Sequence, residues 1–206
     1  MALSFAIISF IAFVVYFVCL ISLHFLPTGY SPLYNTISDY SVGRFSRLAR
    51  ISTAVNAVGV LLLFGAFIVI GGSPPMAWNG LMWLAILAVA RLGMVGFTTD
   101  VSGQKVTAKG IVHIVLAIIS FIAGVSALGT ITRTIGTHSD WSIVYPFLKL
   151  LAQVSTPILI ALAISIVVPV LRRIFGLVER IFLLTINLWL LVASGFLVVT
   201  TIGLLH

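Results

Sequence analysis

Six stretches of about twenty or more residues, almost wholly apolar, succeed one another along this chain with short polar breaks between them. A helix needs ~20 apolar residues to cross ~30 Å of hydrocarbon, where backbone polar groups must pair internally. The chain therefore reads as all-α: an integral membrane bundle of six transmembrane helices forming one domain over residues 1–206. The spans fall at about 2–26, 51–70, 76–97, 110–131, 141–171 and 181–205. Gly71, Gly72, Pro74 and Pro75 close the second, since none of them continues a helix comfortably. The long fifth span holds Pro146, Pro157 and Pro169, which predicts a kink near Pro157. A signal peptide is the rival reading of the first stretch, but it has neither a basic leader nor a small-residue cleavage site. It is taken as a permanent span.

Charge then sets orientation. Charged residues make up only 7% of the chain, and the basic ones cluster beside the spans. The first, third and fifth loops share one side and carry Arg44, Arg47, Arg50, Lys105, Lys109, Arg172, Arg173 and Arg180, whereas the opposite side has Arg133 and, further in, Lys149. Because basic flanks are retained in the cytoplasm, both termini are expected outside a cell membrane. A net charge of +7 is common in nucleic-acid binders, but these residues border spans instead of forming a soluble patch, so no nucleic-acid partner is expected. Anionic lipid headgroups near Arg44, Arg47 and Arg50 are the expected partners. Cys19 is the single cysteine, which excludes an intrachain disulfide.

Only four acidic residues occur, so each demands an explanation. Asp39 lies in the first loop with Tyr34 and Ser38. Those three either cap an interfacial helix, with tyrosines in the aromatic belt, or form a polar lid over a cavity. Asp100 precedes the fourth span and His113 lies one turn inside it. An Asp beside a His can orient an imidazole for proton transfer, although a capping histidine explains the same residues. Arg91 lies within the third span, and its side chain leans away from the near membrane surface, so it should face the bundle interior and seek a carboxylate, carbonyls or a ligand anion. On a continuous helix it would sit on the opposite face from Asp100, and a direct pair requires the helix to end near Gly96. His24, His113 and Asp100 could make a two-histidine, one-carboxylate metal set, but no close ligand spacing supports one. No metal, cofactor or haem is expected, since the paired histidines of a haem bundle are missing.

The run YSPLYNTISDYSVG in the first loop, then FTTD and GIVH at a helix start, resembles the bacterial and archaeal membrane family filed as domain of unknown function 998. That resemblance implies six spans and recurring polar positions at Ser38, Asp39, Asp100, Gly110 and His113. It implies no activity.

Two further patterns concern packing. Ser38-Asp39-Tyr40-Ser41 recurs nearly unchanged as Ser139-Asp140-Trp141-Ser142, through an inverted repeat or through two similar helix caps. Ser120-x-x-x-Gly124 and Ala123-x-x-x-Ala127 mark a face of the fourth span that a neighbour can approach closely. Three classes of function remain. The first is binding or transport of a small solute or lipid headgroup in a polar pocket of Tyr34, Ser38, Asp39, Arg91, Asp100 and His113 at the cytoplasmic end. The second is a hydrolase-like membrane enzyme using an Asp/His pair, and the third a scaffold or sensor. The charge within the third span favours the first, and no nucleophile elbow, HExxH or phosphate loop is present.

Overall fold

The computed structural model describes residues 1–70, 78–101 and 103–203, excluding the Ile70 side chain. Among them are six long helices: α1 (Ala2–Phe25), α2 (Ser46–Ile70), α3 (Trp78–Gly96), α4 (Ala108–Ile135), α5 (Tyr145–Val167) and α6 (Phe175–Gly203). All six are long and apolar enough to cross a membrane. The ends of span two at Gly71, Gly72, Pro74 and Pro75, the start of span three at Met76 and the end of span six at Leu205 lie outside the described residues.

Each helix packs on its chain neighbours, and α6 closes the ring onto α1. The interior is filled by one apolar cluster that includes Phe13, Leu63, Leu84, Leu128, Phe182 and Trp189. Small residues let the helices approach, as expected for a seam on α4: Ser120, Ala123, Gly124 and Ala127 are all buried. A Cβ on Gly124 would stand 3.5 Å from Ile186 of α6.

Several helices differ in extent from the sequence expectation, for identifiable reasons. Helix α4 starts at Ala108 because Thr107 caps it, its Oγ1 accepting from Gly110 N at 3.2 Å. Helix α5 is shorter than expected at both ends. Pro146 occupies its first turn, where a missing N–H costs nothing, and Pro169 follows its last residue, Val167. Pro157 lies inside it. Helix α6 begins earlier than expected, at Phe175, and its 29 residues extend about 44 Å, longer than the hydrocarbon is thick. Its first turns therefore project beyond the core at the end of the bundle where the loops after α1, α3 and α5 meet. We call this the basic end.

The two Ser-Asp-aromatic-Ser segments both form short 3-10 turns, Ser38–Ser41 and Ser139–Trp141. Each sends its aromatic ring inward, Tyr40 against His24 and Trp141 against Phe67 and Phe196. Their acids part company: Asp39 is fully buried and Asp140 exposed.

Candidate functional site

Loop one, between α1 and α2, is folded by its own side chains before it touches the bundle. Asp39 Oδ2 accepts from Asn35 Nδ2 at 2.9 Å and Thr36 N at 3.0 Å, while Thr36 Oγ1 accepts from Asp39 N at 3.1 Å. Ser38 Oγ and Thr36 Oγ1 share a hydrogen bond of 2.9 Å. Burial pushes the Tyr30 phenol above its usual pKa, with the Asp39 charge adding to the effect, and that phenol donates to the Val42 carbonyl at 2.8 Å. Asp39 is thus the knot of this loop.

The knotted loop then docks on α6. Ile37 N donates to Glu179 Oε2 at 2.6 Å and Leu177 N to Leu33 O at 3.2 Å. The backbone of Asn35 presses so closely on Gly176 that a Cβ there would collide with it. Arg180 fastens the contact: its Nη1 donates to Asn35 O at 2.6 Å and Gly176 O at 2.9 Å, its Nη2 to Tyr40 Oη at 3.1 Å and its Nε to His24 Nε2 at 2.9 Å. His24 Nδ1 faces the Leu20 carbonyl at 2.7 Å, and since a carbonyl only accepts, Nδ1 carries the proton and Nε2 the lone pair that Arg180 meets. Both His24 nitrogens are committed. That removes His24 from the metal set conceivable from sequence, and among the described residues no group of three or more His, Cys, Asp or Glu could hold a metal.

Asp100 and His113 join α3 to α4. Asp100 Oδ2 accepts from Thr107 N at 2.7 Å and its Oδ1 from Thr107 Oγ1 at 2.9 Å, which steadies the N-terminal cap of α4. The carboxylate lies where a side chain on Gly110 would be, so only glycine fits the third residue of that helix. His113 Nδ1 meets Phe97 O at 2.7 Å, just past the end of α3, and must donate to it.

Arg91 was expected to seek a carboxylate, carbonyls or a ligand anion, and its protein partners are side-chain amide carbonyls. Helix α3 does end at Gly96, yet the guanidinium turns instead to amides on two other helices. Its Nη1 donates to Asn56 Oδ1 of α2 and, at 3.1 Å, to Asn187 Oδ1 of α6. Asn56 Nδ2 donates to Asn187 Oδ1 at 2.8 Å, and Asn187 Nδ2 reaches Leu183 O at 2.7 Å and Tyr16 Oη of α1 at 3.4 Å. Four helices meet in this network. Neutral amides accept from the cation without adding an opposing buried charge, whose desolvation would be expensive.

Above that network lies a cavity of about 80 Å³, lined by Tyr16, Asn56, Arg91, Asn187, Ser38, His113 and Glu179 among others. It adjoins a cleft of about 520 Å³ whose polar lining includes Tyr34, Ser38, Asp100, His113 and Glu179. Ser38, His113 and Glu179 line both spaces. Among the described residues no buried side-chain polar atom lacks a partner. Among the described residues Arg91 Nε and Nη2, His113 Nε2 and Glu179 Oε1 find no hydrogen-bond partner, so they touch open space.

Of the six residues singled out from sequence, Tyr34, Ser38, Arg91, Asp100 and His113 line one or both spaces, and Asp39 braces the loop behind them. Glu179, Asn56, Asn187, Tyr16 and Arg180 were not anticipated. The signal was present: asparagines inside apolar spans are as conspicuous as charges.

The chain matches the family described as "Protein of unknown function (DUF998)" over residues 10–195. No curated protein and no solved structure matches it.

Proposed function

Since this chain belongs to the DUF998 family, whose description carries no activity, we propose from its own geometry that it binds the anionic group of a small solute or lipid at Arg91. One observation carries the reading. A cation in the interior of a six-span bundle has one nitrogen anchored by two amides, while its remaining N–H groups open into a cavity. A charge serving only to hold helices together would engage all three guanidinium nitrogens with protein, as Arg180 does. Donors aimed at space fit an incoming oxyanion, which a guanidinium binds through charge-assisted hydrogen bonds. The basic end faces the cytoplasm and both termini face outward, on the strength of eight basic residues there against Arg133 and Lys149 elsewhere. Exposed Arg44, Arg47 and Arg50 meet anionic headgroups at that surface.

The test is ligand-dependent stability of the detergent-solubilised protein with two probes, glycerol 3-phosphate and phosphatidylglycerol. Saturation near 100 times Kd stabilises by about 2.7 kcal/mol, which raises the melting temperature of the wild type. Arg91→Gln, which keeps an amide partner for Asn56 and Asn187, should abolish the rise. An unchanged rise in Arg91→Gln would overturn the proposal.

A second reading has its own observation. His113 Nε2 and Glu179 Oε1 both open onto the shared space, an arrangement suited to acid and base catalysis by a hydrolase-like membrane enzyme. Asp100, spent on capping α4, would serve there only through position. Turnover of a lipid ester that disappears in both His113→Gln and Glu179→Gln would favour this second reading.

A further inference from the structure

The larger cleft has one polar wall and one apolar wall, and it opens sideways. Its apolar wall is built from Ile114, Ile118 and Phe121 of α4, Ile166 of α5 and Phe175 of α6. Ile114, Ile118 and Ile166 are 46%, 51% and 54% exposed, so this wall is continuous with the outer surface that a membrane-spanning helix turns to lipid. The gap has a cause in the sequence. Pro169 follows the end of α5 at Val167, and the chain turns through Leu171–Ile174 before α6 begins. Helices α4 and α6 meet at Phe121 and Phe182, whose rings lie edge to face at 5.0 Å, and Gly124 packs on Ile186 below them. Toward the basic end from Phe121 they part.

We propose that this cleft admits one membrane phospholipid laterally, its headgroup at the polar wall and an acyl chain along Ile114 and Ile118. This rests on the anion-binding reading of Arg91 and names the class of ligand. Three observations commit the site to a lipid over a soluble solute. From the capping Thr107 to Phe121 is fourteen residues of helix, about 21 Å, which matches a headgroup plus one leaflet of a ~30 Å hydrocarbon layer. A solute entering from water would leave the isoleucine wall wet, whereas an acyl chain covers it. The headgroup end is also chemically mixed: Arg172 at the rim attracts an anionic headgroup, Glu179 Oε1 and His113 Nε2 accept hydrogen bonds from its hydroxyl or amine, and the cavity beyond leads to Arg91, which takes the phosphate. The 520 Å³ of the cleft is ordinary for a ligand pocket and holds a headgroup with the first part of its chains.

The experiment compares the two probes on purified full-length protein carrying Ile118→Trp or Ile166→Trp, each of which fills the lateral opening, and Ile122→Trp, one turn further along the lipid-facing side of α4. Melting temperature is followed against phosphatidylglycerol and against glycerol 3-phosphate. Both cleft variants should need at least tenfold more phosphatidylglycerol for a half-maximal rise, while Ile122→Trp behaves as wild type. Using two variants on different helices guards against a folding defect in either one. If both respond to phosphatidylglycerol as the wild type does, lateral lipid entry is wrong. Should glycerol 3-phosphate alone stabilise the wild type in an Arg91-dependent manner, the lipid assignment falls and the anion site stands. If neither probe depends on Arg91, both fall.

Discussion

Arg91 Nη1 lies 3.1 Å from Asn187 Oδ1, so an intramembrane cation is held across the bundle by a neutral amide and not by a carboxylate. The two amides also bond each other, Asn56 Nδ2 to Asn187 Oδ1 at 2.8 Å, and this makes the network asymmetric to mutation.

Asn187→Leu takes one of its two acceptors from the buried charge and also unpairs Asn56 Nδ2, which together should cost more than ~3 kcal/mol. Arg91→Leu leaves the amides paired and should cost less, within the ~1 to 3 kcal/mol of a lost buried hydrogen bond. The double variant should be clearly less destabilised than the sum of the two. Chemical unfolding in detergent micelles measures all three, and strict additivity would show that the two side chains are energetically independent.

Gly110→Ala places a methyl group in the Asp100 carboxylate and should displace the cap of α4. A lost cap costs ~1 kcal/mol and clashes add to it. Asp100→Ala removes both the brace on that cap and the obstacle, so Gly110→Ala should be nearly silent in that background. Thermal unfolding of the four proteins reads this directly, and an equal cost of Gly110→Ala in both backgrounds would refute the clash.

Arg180→Ala should loosen loop one, because one side chain ties Asn35, Gly176, Tyr40 and His24 together. Arg172 donates from its Nε to Ile166 O at 2.8 Å and is otherwise exposed, so Arg172→Ala should leave the loop intact. Limited proteolysis of detergent-solubilised protein distinguishes them by faster cleavage within residues 27–45 in Arg180→Ala alone. Equal rates would mean that the loop is held elsewhere.

Orientation is testable in intact cells. With Cys19 replaced by Ala, Thr137→Cys should react with an impermeant thiol reagent and Gln104→Cys should not, both positions being exposed at opposite ends. The reverse pattern would put the cavity on the outer side.

The helices were legible because the hydrocarbon requirement is written residue by residue as apolar runs, and Arg91 stood out because a lone charge there must turn inward. Its partners were harder to see. Asn56 and Asn187 lie 35 and 96 residues from Arg91, and the packing of α2 on α3 and of α6 against α2 brings them together. Glu179 was not singled out from sequence. It is buried because loop one folds back over α6, a docking set by Gly176 and by hydrogen bonds that no local periodicity encodes. Asp100 and Asp39 were singled out from sequence as scarce acids, and the contacts of one brace a helix cap and those of the other a turn.

Titration with water-soluble dihexanoyl phosphatidylglycerol, followed by calorimetry on the wild type, Arg91→Lys and Arg91→Gln, tests the anion site most directly. The account predicts one saturable site in the wild type, weaker binding in Arg91→Lys, whose point charge lacks the guanidinium fork, and at least a tenfold loss in Arg91→Gln, equivalent to ~1.4 kcal/mol or more. Equal affinity in all three proteins would contradict it.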